Sequence, residues 1–69
     1  MTVRPCLIQH ISGQAFWDET LRKITEDIVR RQIPEGMIEH ESRWINTTDF
    51  AEPERWTFVL VYEEPSDVG

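Results

Sequence analysis

Few residues in this chain could do chemistry. Glu39-His40-Glu41 offers two carboxylates and an imidazole, the parts of an acid–base pair or a metal site. That segment reads as a strand, where alternate side chains point to opposite sides. His40 then turns away from both glutamates, and the three cannot converge. Cys6 and His10 would share a strand face, but four residues of strand set them roughly 13 Å apart, too far for a ligand pair. Nothing near Cys6 would lower its pKa, so it is read as a buried structural thiol. Gly13, Gly36 and Gly69 make no phosphate-binding loop, and Asn46-Thr47-Thr48 matches a glycosylation sequon that matters only in a secreted chain. These residues predict no catalytic group, no metal and no cofactor.

Aromatic residues are the stronger signal. Trp17 is expected as the first core anchor of a helix. Trp44 and Trp56 flank a long loop and could stack across strands. Beside them the loop carries Asp49, Phe50, Glu52 and Glu54. Aromatic groups next to carboxylates suit a protein interface or a platform for a flat ligand.

Four elements must position these residues. Residues 3–11 read as a strand that begins at Pro5 or lies at an edge, because proline cannot donate to a ladder. Residues 15–32 read as one helix, with Trp17, Leu21, Ile24 and Ile28 as its apolar stripe and Phe16, Val29 and Ile33 beside it. Ser12 or Asp18 can cap that helix. Asp18–Arg22, Glu19–Lys23, Glu26–Arg30 and Asp27–Arg31 are spaced as i,i+4 ion pairs with the acid leading, the favoured order. Pro34-Glu35-Gly36 ends it. Residues 37–48 read as a second strand, with Ile38, His40, Ser42 and Trp44 on one face and Glu39, Glu41 and Arg43 on the other. The run Trp56-Thr57-Phe58-Val59-Leu60-Val61-Tyr62 is a third strand, apolar on both faces.

The layout is β-α-β-β, an α+β class. Residues 1–64 form one domain and 65–69 a flexible tail. A helical crossover makes strands one and two parallel. The third strand, being the most apolar, inserts between them in the order 1-3-2, with one helix on one face of the sheet. Thr57, Val59 and Val61 then lie on an uncovered face, and they are the predicted oligomer interface. A chain of 69 residues with a single cysteine and no zinc spacing has oligomerisation as its remaining route to a sufficient core.

Charge narrows the partners. The net charge is −6 and is concentrated after Pro34. That argues against direct binding to nucleic acid or to an anionic membrane, both of which need basic surface. No run reaches the roughly 18 apolar residues of a membrane span. With no signal-peptide layout and a lone thiol, a cytoplasmic setting is expected.

The β-α-β-β order, and Ser12-Gly13-Gln14-Ala15-Phe16-Trp17-Asp18-Glu19 leading into the helix, resemble the dodecins. That resemblance implies an oligomeric carrier of a flat molecule such as flavin, with Trp44 as the stacking residue. In the family, however, the stacking tryptophan lies near the start of the second strand, where this chain has Met37-Ile38. The reading drawn from the residues themselves is different. It is a non-enzymatic, acidic homo-oligomer that binds another protein, as an adaptor or inhibitor of a kind phages carry. Its protein interface would be Trp44, Asp49, Phe50, Glu52, Glu54 and Trp56. Acidic mimicry of nucleic acid is a third reading of the same charge.

Overall fold

The computed structural model describes residues 4–50 and 53–65. Its elements are β1 (Cys6–Ser12), α1 (Gly13–Trp17), α2 (Glu19–Arg30), β2 (Ile38–Asn46) and β3 (Arg55–Glu63). The strands form one sheet in the order β1-β3-β2. Both β1 and β2 pair antiparallel with β3, so they run in the same direction on either side of it. The α+β class and the 1-3-2 order are as the sequence predicts. Pro5 stands just outside the edge strand β1 and offers only its carbonyl, to the Tyr62 N–H at 3.1 Å.

The expected single helix is two. Ser12 caps α1, its Oγ accepting from the Ala15 N–H. The chain then becomes extended at Asp18 (ψ 108°), and the Asp18 carboxylate caps α2 by accepting from the N–H groups of Thr20 and Leu21. On one straight helix Phe16 and Val29 would project about 140° apart. The break lets both face the sheet, where Phe16 is 8% and Val29 1% exposed.

This changes which side of the helix is inside. Trp17, Leu21, Ile24 and Ile28, the expected core stripe, are 66, 45, 49 and 50% exposed. The side of α2 toward the sheet is largely polar apart from Val29. Arg22 lies over the Phe16 ring and Arg30 over the Phe58 ring. Glu26 accepts from the Trp44 indole at 2.9 Å, and Arg30 donates to Glu39 at 2.8 Å. Glu19–Lys23, Glu26–Arg30 and Asp27–Arg31 form as spaced. Asp18 is occupied as a cap instead of pairing with Arg22.

The core consists of Val29, Phe58 and Leu60, with Leu7, Ile33, Trp44 and Tyr62 packed around them. The helices therefore cover the Trp56-Phe58-Leu60-Tyr62 side of β3. Val59 and Val61 lie on the open side, with Cys6 and Ile8 of β1 on the same side by register. Cys6 is exposed there and is not the buried thiol expected. In β2 a bulge between Glu39 and Glu41 leaves His40 without a partner in the register. The bulge moves Ile38 to the open side and Glu39 to the helix side, the reverse of unbroken alternation. Met37 N–H to Pro34 C=O closes the preceding turn, and Gly36 takes the positive φ of 88° that such a turn needs at its third position.

Candidate functional site

The end of the sheet nearest α1 holds all three tryptophans. Phe16 is their centre: it stacks on Trp56 (ring centroids 3.9 Å, planes 6° apart) and meets Trp17 and Trp44 edge-on at 4.9 and 5.3 Å. Trp17 also meets Trp56 edge-on, and Trp44 packs on Phe58. The two tryptophans expected to stack across strands are thus joined through Phe16. In the register Trp44 lies opposite Phe58 and Trp56 opposite Asn46 and Ile11.

Each indole N–H has a carboxylate acceptor. Glu54 Oε2 takes those of Trp17 (2.9 Å) and Trp56 (2.6 Å), and Glu26 takes that of Trp44. The N–H groups of Trp56 and Trp17 stabilise the ionised carboxylate and hold Glu54 below the usual glutamate range. The Glu54 carbonyl also accepts from the Gly13 N–H at 2.8 Å. Its side chain crosses above Gly13 so closely that a Cβ there would overlap it, which is why this position suits glycine. Glu54 is therefore a clasp between the loop, α1 and β3.

The loop root is tied in by its threonines. Thr47 N–H donates to the Arg55 carbonyl, Arg55 N–H donates to Thr48 Oγ1, and Arg55 Nη2 donates to the Thr47 carbonyl. Phe50 at the tip is fully exposed, and its N–H donates to Asp49 Oδ1. Glu52 lies outside the described residues. A shallow groove beside the loop root is lined by His10, Ile11, Ser12, Pro53, Glu54 and Arg55.

The predicted site residues are thus only partly brought together. Glu54 and Trp56 join one cluster with Trp44, which is half-buried; Asp49 and Phe50 stand out on the loop. Phe16, Trp17 and Glu26 belong to the cluster and were not among them. For Trp17, the position immediately before a capping aspartate was the available signal, because a break there frees its side chain from the helix face. Thr57 on the open side is 3% exposed and is sealed by His10 Nδ1 (2.6 Å) and Thr47 Oγ1 (2.7 Å). Of the predicted oligomer residues, the half-buried Val59 and Val61 are the ones offered to solvent.

The acid–base candidates have structural partners. Glu39 is held below its usual range chiefly by the hydrogen bond from Arg30. Glu63 is pushed up by burial, but Arg4 and His40 outweigh this and leave it lowered. Arg4 Nε and His40 Nδ1 lie 2.9 and 3.1 Å from the Glu63 carboxylate. Among the described residues no three metal-ligating groups converge, and no helix is long and apolar enough to cross a membrane. No protein-family model matches the chain, and no curated protein or solved structure is significantly similar to it.

Proposed function

We propose that this chain is a non-enzymatic, homo-oligomeric protein-binding module, an adaptor or inhibitor that works through its aromatic corner. The observation that carries this reading is the fixed Trp17. The residue is 66% exposed, yet the orientation of its indole is set by Phe16, Trp56 and the Glu54 carboxylate. A rigid aromatic surface with an acidic neighbour loses little side-chain entropy on binding, which is why such groups dominate interface energetics. Phe50, on the loop that Glu54 clasps, supplies a second exposed ring. The partner would present apolar pockets flanked by basic residues, matching the charge of −6.

The test is capture of partners by immobilised protein, comparing the wild type with Trp17→Ala and Phe50→Ala. A specific protein retained by the wild type should be lost or strongly reduced with both variants. If both variants retain the same proteins at the same yield, the aromatic corner is not the binding surface.

A further inference from the structure

In an antiparallel ladder, residues alternate between those bonded to the neighbouring strand and those whose N–H and C=O point away from it. Two bonds that flank β1 set this phase: the Tyr62 N–H donates to the Pro5 carbonyl, and the Gly13 N–H donates to the Glu54 carbonyl. Leu7, Gln9 and Ile11 therefore bond toward β3, and Cys6, Ile8 and His10 turn their backbone groups outward. Among the described residues β1 pairs with β3 alone. The outward His10 carbonyl accepts from the Gln9 side-chain amide at 3.2 Å. Natural sheets blunt such edges with charges or bulges. β2, at the other edge, has both, in the bulge at His40 and in Glu39, Glu41 and Arg43. β1 reads Cys-Leu-Ile-Gln-His-Ile-Ser, with no bulge and no Asp, Glu, Lys or Arg.

A row of outward N–H and C=O groups at two-residue spacing is complementary to an extended strand. α2 presents apolar side chains on that side of the sheet. Glu26 bonds Trp44 and Arg30 bonds Glu39, so this flank of the helix faces β2. At about 100° per residue, Leu21 and Ile28 project about 140–180° away from Glu26 and Arg30. With β3 central, they stand on the flank toward β1, each about half exposed.

Spacing and charge select a second copy as the occupant. α2 lies against both β1 and β3. When two β1 strands pair about a two-fold axis, the two α2 helices run side by side two strand spacings apart, about 9.6 Å. Helices pack at about 8–10 Å, so Leu21 and Ile28 meet their counterparts. A strand from an unrelated protein brings no helix fixed at that distance. Pairing β1 with itself also sets no like charges opposite each other, in a chain whose net charge is −6.

We propose that β1 pairs antiparallel with β1 of a second copy, giving one continuous six-stranded sheet with both α2 helices on the same face. Full overlap of the 7 residues of β1 puts the two-fold axis at Gln9. Ile8 of each copy then exchanges backbone bonds with His10 of the other, and Gln9 faces Gln9. This rests on the homo-oligomeric part of the reading above and moves the interface from the open sheet face to the sheet edge.

The experiment is light scattering on wild type, Ile8→Pro and Val59→Glu, with far-UV circular dichroism to show that each variant is folded. The N–H lost in Ile8→Pro points outward, so β1 keeps its bonds to β3. The wild type should be a dimer or a multiple of one. Ile8→Pro should raise the dissociation constant of this contact about 30-fold or more, the loss typical of a central interface residue, and Val59→Glu should not. If Ile8→Pro unfolds, Ile28→Glu on the helix flank takes its place, with the same loss expected. Disulfide trapping in a Cys6→Ser background then reads the register. Gln9→Cys should oxidise to a homodimer, because facing residues of a non-hydrogen-bonded pair have Cα atoms about 4.5 Å apart, within disulfide reach. Ser42→Cys, at the middle of β2, should not. A dimer that survives the interface substitution, or one that is not trapped at Gln9→Cys, overturns the β1 edge while leaving self-association intact. A monomeric wild type overturns both and leaves the edge to a strand of another protein.

Discussion

The aromatic corner and the outer face of α2 are built from the same kind of residue and end in opposite states. In the corner, Phe16, Trp44, Trp56 and Phe58 pack on one another, and the indole N–H groups find carboxylates. On the outer face, Leu21, Ile24 and Ile28 remain half exposed. The difference lies in polar tips. An indole is a large apolar surface with one donor, so a carboxylate fixes its direction. An aliphatic side chain has no such handle. Where Glu26 secures Trp44, the helix must present its polar side inward, and the aliphatic stripe is turned out as a consequence.

This contrast can be broken most forcefully at Phe16. Phe16→Ala should lower stability by about 3 kcal/mol in urea unfolding, because it removes the ring on which three tryptophans pack. Ile24→Ala on the outer face, by contrast, should cost the isolated chain little. Equal losses at the two positions would mean that the stripe is already buried. Next in size is Gly13→Ala, at about 2 kcal/mol, since the added methyl must displace the Glu54 side chain. Its tryptophan emission should shift toward that of Glu54→Gln; an unshifted spectrum would show that the clasp tolerates the methyl. Asp18→Ala should cost about 1 kcal/mol through loss of the α2 cap, whereas Asp18→Asn should be near neutral.

The smallest expected effect is a pH dependence confined to the corner. The Glu54 pKa is lowered by folding, so the folded state binds fewer protons than the unfolded one in acid. Its contribution is fully present above the ordinary glutamate value of about 4.3 and is lost as pH falls through the lower, folded value. Tryptophan fluorescence should titrate with a midpoint below that ordinary value, and Glu54→Gln should remove the transition. A midpoint at or above it would mean that the indoles do not hold the carboxylate.

Much of the fold was legible because strand and helix periods are local. The doubly apolar run at Trp56–Tyr62 marked the central strand, and the flanking strands, one beginning after Pro5 and one amphipathic, marked the edges. Ser12 and Asp18 were both readable as caps, but the pattern did not reveal that both would be used in succession. The site was legible only in part. Trp44, Glu54 and Trp56 were singled out as neighbours of a loop, whereas their meeting point, Phe16, lies far away in sequence.

From its residues alone this chain determines a three-stranded α+β domain in the order 1-3-2, with its net acidity after the helix. Periodicity and the burial of the most apolar strand suffice for that. Tertiary structure alone decided which side of α2 faces the sheet, that the chain breaks at Asp18, and that the bulge at His40 turns Glu39 toward Arg30. The first and last of those outcomes depend on single pairings between different elements, Glu26 with Trp44 and Arg30 with Glu39. Periodicity records how often a side chain returns to one face of its element. It does not record which face finds a partner across the fold.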